Sequence, residues 1–149
     1  MRPPVFFHVI ARAVIFVDGH VLLAHAKGED HTFLPGGHVE PGEPVTRSLA
    51  RELQEELGVA VHVHGYLGAV ESGWKTNGER HHEINHVFAV TAPGLLPAAA
   101  PASREPHLEF VWSSPDELDG RNLLPRVLRH LLRRWASGDA STWWATDQE

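Results

Sequence analysis

Short runs of apolar residues separated by polar turns predict a chain rich in β-strands. β-branched and aromatic residues dominate residues 5–17, and an Asp18-Gly19 pair, typical of a tight hairpin turn, follows them. Later runs show apolar residues at every second position, the spacing of a strand with one buried face. The pattern predicts strands over 5–17, 20–26, 59–70, 82–90 and 109–113, with a polar loop at 72–80.

Two other stretches carry apolar residues at helical spacing. Residues 45–57 have an apolar residue at every fourth position, with Pro44 suited to the first helical position and Gly58 to the residue after the end. An amphipathic stripe at 123–135 follows a capping box at 114–117. The sequence therefore predicts a central helix and a C-terminal helix.

The order of these elements, strands then helix then strands then helix, indicates the α/β class. We expect one domain over residues 1–149, with a mixed β-sheet between the helices and one helix on each face. Residues 138–149 form a polar C-terminal tail that carries Trp143 and Trp144. Because two tryptophans are too apolar to stay free, they are expected to dock on their own domain or, in a homodimer, on a partner subunit.

The predicted central helix concentrates negative charge on one face. Glu52 lies three residues before Glu55 and four before Glu56, and both spacings place the side chains together, away from the leucine stripe. Two such charges about 6 Å apart repel by about 3 kcal/mol at an effective dielectric of about 20. The helix dipole disfavours anions at this end, and Arg51 offsets only part of the penalty. The face is either simply solvated, as most charge runs are, or it binds a hard divalent cation.

The residues around these carboxylates match a known motif. The chain follows the pattern G-x5-E-x7-R-E-U-x-E-E-x-G-U, in which U is Ile, Leu or Val. All nine defined positions are filled, by Gly37, Glu43, Arg51, Glu52, Leu53, Glu55, Glu56, Gly58 and Val59. The stretch resembles the Nudix box, and the flanking pattern resembles the Nudix hydrolase family over most of the chain. The complete motif favours a cation site over a solvated face.

The resemblance implies a fold, a reaction and a set of ligands. The fold is an α/β/α sandwich, and the reaction is hydrolysis of a pyrophosphate bond in a nucleoside di- or triphosphate derivative by water attack on phosphorus. In this family Glu43 pairs with Arg51 and holds the catalytic loop onto the helix. The cofactor is Mg²⁺ or Mn²⁺, held by Glu52, Glu55, Glu56 and the backbone carbonyl of Gly37.

The attacking water must lose its proton to a base, and a carboxylate is the expected acceptor. Glu55 and Glu56 are the nearest candidates in the box. Some relatives take the base from a later loop, where this chain has Glu105 and Glu109. The sequence leaves the choice among these four residues open.

Four further residues are candidates for contact with the substrate. His38 lies in the predicted catalytic loop, and Phe33 and Trp74 offer flat rings for stacking. Glu83, on a predicted strand, is suited to contact with substrate or metal, or to an inter-strand pair. The simpler alternatives are an exposed histidine and two core aromatics. The positions that mark the ADP-ribose and dinucleoside polyphosphate subgroups hold Trp74 and Thr76, so no marker identifies the substrate.

Composition limits the partners that we expect. The net charge of −6 argues against binding to a nucleic-acid backbone, and the absence of cysteine excludes disulfides and thiolate metal sites. The first residues lack the apolar core of a signal peptide and no window suits a membrane span, so we expect a cytoplasmic protein without a membrane partner. We predict a Nudix pyrophosphohydrolase acting on a small-molecule nucleotide diphosphate. The alternative is a catalytically silent Nudix-fold regulator that senses a nucleotide.

Overall fold

Two β-sheets and two α-helices make up the chain, and the computed structural model describes residues 4–148. Residues 1–3, part of the stretch on which the prediction of no signal peptide rests, and Glu149, the end of the predicted tail, lie outside the described residues. The strands are β1 (Val5–Val14), β2 (Phe16–Val17), β3 (His20–Ala26), β4 (Thr32–Phe33), β5 (Gly36–His38), β6 (His62–Thr76), β7 (Glu79–Thr91), β8 (Leu108–Ser113) and β9 (Trp143–Thr146). The helices are α1 (Val45–Leu57) and α2 (Val127–Ala136), with a 3₁₀ turn at Pro115–Glu117.

The larger sheet is mixed, as the element order predicts. Its strand order is β5-β1-β7-β6-β9, in which β1 runs parallel to β7, β9 runs parallel to β6, and the other neighbours are antiparallel. The smaller sheet joins β2, β3 and β4, with β8 paired to β3. Asp18 and Gly19, between β2 and β3, both have positive φ, 48° and 77°, as a type I′ hairpin turn requires. The predicted hairpin is therefore present.

The two helices pack into separate apolar clusters, so that one lies on each face of the larger sheet. The leucines of α1 join one cluster with Ala11, Ala13 and Phe88. The leucines of α2 join the other with Val70 and Val87. This arrangement agrees with the predicted α/β/α sandwich. Within residues 4–148, neither helix is long and apolar enough to cross a lipid bilayer.

The predicted polar loop at 72–80 is wrong. Strands β6 and β7 continue through it and pair from Thr76↔Glu79 inward, and Asn77 and Gly78 form the turn with φ of 49° and 75°. Asn-Gly is a strong hairpin signal, but the flanking residues are polar. Because this end of the hairpin is held by backbone hydrogen bonds rather than by burial, its side chains carry no apolar alternation.

The predicted C-terminal helix is shorter than its apolar stripe. The capping box is present, with Ser114 and Glu117 bonded to each other, but it caps the 3₁₀ turn, and α2 begins only at Val127. Pro125 accounts for the break, because proline has no N–H to donate and disfavours helical geometry in the preceding residue. Leu123 is still fully buried, although it lies outside the helix.

The predicted polar tail at 138–149 contains a strand. Strand β9 pairs with β6 from Gly68↔Trp143 to Glu71↔Thr146, and of the two tryptophans only the ring of Trp143 docks on its own domain. The indole of Trp143 is 5% exposed and joins the α2 cluster, whereas Trp144 is 62% exposed. A Cβ on Gly68 would lie 2.2 Å from the carbonyl oxygen of Trp143. Only a glycine therefore lets β9 approach so closely.

We predict that Trp143→Ala lowers the free energy of unfolding by about 3 kcal/mol, because it leaves a large cavity beside α2. Trp144→Ala is the matched control and should stay within about 0.5 kcal/mol of the wild type, since that ring is exposed. Urea denaturation of both variants measures the difference. If Trp143→Ala also stays within about 0.5 kcal/mol of the wild type, the Trp143 ring adds nothing to the core.

Candidate active site

The Nudix-box loop is tied to α1 through Arg51. Its guanidinium donates two hydrogen bonds to Glu43, at 2.9 and 3.1 Å, which is the pairing expected from the sequence. It also donates to Glu52 at 3.3 Å and to Glu55 at 3.1 Å. The bonds from Arg51 lower the pKa of Glu43, and those to Glu43 raise the pKa of Arg51. One arginine therefore holds the loop and partly neutralises two of the three box carboxylates.

Glu52 and Glu56 point from α1 toward the backbone of β5. The carboxylate of Glu52 lies so close to Gly37 that a Cβ there would be 2.6 to 2.8 Å from its atoms. Glu56 is 7% exposed, and its carboxyl group is close enough to the backbone of Gly36 for that backbone to favour the ionised form and so oppose the rise of its pKa. Its Oε2 is buried and has no hydrogen-bond partner among residues 4–148. Gly37 thus leaves the space that the Glu52 carboxylate occupies, whereas the missing side chain of Gly36 makes room for the backbone of Ala11 on β1.

Burial makes this pair of acids difficult to ionise. Loss of solvent, and then the charge of Glu52, raise the pKa of Glu56 to about 8. Loss of solvent is also the main cause that raises the pKa of Glu52. The sequence pattern predicted carboxylates on a face away from the leucines, but Glu56 is buried beside them. The third box carboxylate differs, because the Glu55 side chain is 51% exposed and bonded to Arg51.

Arg12, which sequence reasoning missed, lies beside these acids. It donates to the carbonyl oxygen of Leu34 at 3.0 Å and to Oδ1 of Asn85 at 3.3 Å. Burial lowers its pKa, while Glu83, Glu56 and Glu52 oppose that effect. The available signal was a single charged residue between two alanines of an otherwise apolar strand.

A cavity of about 570 Å³ adjoins this cluster on the face of the larger sheet that α2 covers. It brings together three of the substrate candidates, Phe33, Trp74 and Glu83, with Arg12 at one end. The guanidinium carbon of Arg12 lies 5.3 Å from the centre of the Phe33 ring. Glu83 accepts a hydrogen bond from Asn85 at 2.9 Å.

The fourth candidate, His38, lies outside that cavity in a row of histidines. Its Nε2 is 3.0 Å from Nδ1 of His8, and Nε2 of His8 is 2.8 Å from Nδ1 of His81. Burial, and then its two histidine neighbours, lower the pKa of His8. Polar residues in the first strand thus extend the site beyond the box, and sequence reasoning did not single out His8 or His81.

The two loop candidates for the base lie in different surroundings. Glu105 is half-buried and close enough to Glu56 to raise its pKa, and the preceding N–H, of Arg104, donates to the carbonyl oxygen of Glu56 at 2.8 Å. Glu109 instead pairs with His25 at 2.7 Å, on β8. Of the two, the structure brings only Glu105 to the box.

The donor set fits a hard divalent cation. Glu52, Glu56 and the backbone at Gly37 offer oxygen atoms only, and the buried Oε2 of Glu56 lacks a partner within the described chain. No group of three or more histidine or acidic side chains within residues 4–148 has metal-binding geometry. Backbone oxygens, waters and substrate phosphates commonly complete Mg²⁺ and Mn²⁺ sites, so two carboxylates are enough to fit these ions.

We predict that the metal-free protein loses stability as the pH rises from about 4.5, the ordinary pKa of Glu, to about 8, the raised pKa of Glu56. In this range the folded state keeps a proton that the unfolded chain has released, so the stability falls by up to about 1.4 kcal/mol per pH unit. Urea unfolding in EDTA between about pH 5 and about pH 8 should show a flatter slope for Glu56→Gln. Glu55→Gln, at an exposed position, is the control and should keep the wild-type slope. Identical slopes for wild type and Glu56→Gln would contradict the assignment.

Comparison with known proteins agrees with the geometry. The model of the NUDIX domain matches residues 7–135. The CTP pyrophosphohydrolase of Escherichia coli K12 is 34% identical over 115 residues, which cover 72% of this chain and 76% of that protein. A MutT NUDIX hydrolase from Burkholderia pseudomallei has a similar structure, with 30% identity, a TM-score of 0.66, and coverage of 85% of this chain and 96% of its own. The structure of the MutT protein of Methanosarcina mazei Go1 is also similar, with 26% identity and a TM-score of 0.66. The match covers 92% of this chain and 96% of that protein. The chain belongs to the Nudix hydrolase family.

Proposed function

We propose that this protein hydrolyses a pyrophosphate bond in a nucleoside di- or triphosphate derivative, with Mg²⁺ or Mn²⁺ as cofactor and water as the attacking group. The observation that carries the proposal is the pair of half-buried Glu52 and buried Glu56 beside the backbone of Gly36 and Gly37. Arg12, whose charge acts on both acids, lines a nucleotide-sized cavity. A buried acid pair without a neutralising ion is unfavourable, so the arrangement supports a cation site. The matching relative that acts on CTP supports a nucleotide substrate.

Glu52, Glu56 and the carbonyl of Gly37 would hold the cation, and Glu55 would join them after release from Arg51. When bound, the cation neutralises phosphate charge and makes the attacking water more acidic. Arg51 and Glu43 are positioning residues, because their hydrogen bonds hold the Nudix-box loop against α1. Arg12 stays protonated at neutral pH and offers a fixed positive charge to a phosphate oxygen at the mouth of the cavity.

We assign the base to Glu105 rather than to a box residue. Glu55 is engaged with Arg51, and Glu56 is buried as a ligand, whereas Glu105 faces Glu56 from a separate loop. A carboxylate on that loop is able to accept the proton of the attacking water without giving up a cation ligand. The substrate is a small molecule, and a cytoplasmic location stays a prediction.

We predict hydrolysis of at least one common nucleoside triphosphate, with CTP as the first compound to test, and a strict requirement for Mg²⁺ or Mn²⁺. Glu52→Gln and Glu56→Gln should each lower kcat by at least about 100-fold with folding retained, since either change removes a cation ligand. Nucleotide products are followed by chromatography, and circular dichroism checks the fold. Full activity of Glu56→Gln, or turnover in EDTA, would contradict the proposal.

The base is tested separately with a matched pair of variants. Glu105→Gln should lower kcat by about 100-fold or more and leave KM almost unchanged, because the variant cannot accept the proton of the attacking water. Glu109→Gln is the control, because that side chain bonds to His25 away from the box, and it should keep wild-type kinetics. A wild-type kcat in Glu105→Gln would contradict this assignment and return the role to Glu55 or Glu56.

A further inference from the structure

We propose that Asp147, which directly follows β9, reads the nucleobase: its carboxylate accepts a hydrogen bond from the exocyclic amino group of the base, and the base stacks on Trp74. The inference rests on the proposed function, because it names the class of substrate for the same cavity. Asp147 lies beyond the region that the NUDIX domain matches, which ends at residue 135.

Asp147 is held at the cavity by the pairing of β9 with β6. Its backbone N–H donates to the carbonyl oxygen of Glu71 at 3.1 Å, and the hydroxyl of Thr146 donates to the Glu71 carboxylate at 2.9 Å. The buried ring of Trp143 anchors the other end of the strand. The position of Asp147 is therefore set by a strand and a core residue, and not by a free tail.

The carboxylate of Asp147 is available to a ligand. It lines the cavity, is exposed, and has no hydrogen bond or ion pair with any side chain in residues 4–148. The amide of Asn85, also in the cavity, is already used, since it accepts from Arg12 and donates to Val70 and Glu83. Asp147 is thus a free acceptor at the end of the cavity away from Arg12.

Trp74 supplies a rigid flat surface next to Asp147. Its ring is 4.9 Å from that of His81 with the planes 4° apart, and 5.5 Å from that of His8 with the planes 17° apart. The two imidazoles are joined by a 2.8 Å hydrogen bond and back one face of the indole. The indole is 43% exposed and lines the cavity, so it still has surface for a base.

The spacing of strands suits a nucleotide laid across the sheet. Arg12 lies on β1, and Asp147 follows β9, three strand positions away. At about 4.8 Å per strand, this separates the phosphate end from the base end by about 14 Å. The negative charge of Asp147 is therefore kept away from the phosphates.

The chemistry of a carboxylate determines which bases fit. An ionised carboxylate accepts hydrogen bonds and cannot donate them. It matches the amino group of cytosine or adenine, and it repels the carbonyl oxygen that uracil or hypoxanthine carries at the same position. A site built to bond a substrate N–H rejects an analogue that lacks it.

Two matched pairs of nucleotides test the inference, CTP against UTP and ATP against ITP, because in each pair a keto oxygen replaces the exocyclic amino group and the adjacent ring nitrogen gains a proton. We expect the wild type to prefer the amino member by at least about tenfold in kcat/KM in at least one pair. In Asp147→Asn the preference should fall to about threefold or less, because an amide both donates and accepts. Asp116→Asn, at an exposed aspartate outside the cavity, is the control and should keep the wild-type ratio.

Calorimetric binding of the same four nucleotides, with Ca²⁺ in place of Mg²⁺, separates this inference from the proposed function. Binding preference for the amino member without turnover in Mg²⁺ or Mn²⁺ would remove the proposed reaction and leave the base reading intact. Turnover without preference in either pair, or a preference that Asp147→Asn keeps, would overturn the base reading and leave the reaction intact.

Discussion

The structure depends on the close approach of two acidic side chains to the backbone of two consecutive glycines. Glu52 and Glu56 reach the space beside Gly36 and Gly37, where any Cβ on Gly37 would collide with the Glu52 carboxylate. Loss of solvent then raises the pKa of both acids, so a cation bound there under the proposed function would have to displace a proton. Arg51 orders the loop, and the sheet closes the remaining side.

The larger sheet distributes the parts of the site by strand position. The short strand β5 presents the box glycines at one edge, β1 carries Arg12 next to it, and the β6–β7 hairpin forms the wall with Trp74 and Asn85. Strand β9 adds the opposite edge. Because β1, β6 and β7 all contribute residues to its lining, the cavity is assembled from segments that are far apart in the chain.

Local patterns predicted the parts of the fold that local chemistry decides. The leucine spacing and Gly58 located α1 to within a residue, since an αL residue with φ of 69° ends it. The second helix and the tail were less accurate. Pro125 interrupts a stripe that periodicity alone continues, and Trp143 is buried by pairing with a strand more than seventy residues earlier in the chain. Pairing partners of this kind leave no mark in the local sequence.

The site shows the same limit. The box motif names the carboxylates that we expect to bind the cation, because the motif is a local spacing. It did not predict that Glu55 would turn to Arg51, nor that Arg12 would lie beside Glu56. Those placements follow from the parallel pairing of β1 with β7 and from the depth at which α1 packs, and both are properties of the assembled core.

The pairing of β1 with β7 also has a mechanical consequence. A two-stranded ribbon in water is only marginally stable and bends easily. Here β1 runs beside β7 as far as Val5↔Arg80, so the outer half of the hairpin belongs to a three-stranded segment. His8 reaches across to His81, 73 residues further along the chain. Pairing with β1 therefore stiffens the β6–β7 hairpin that carries Trp74.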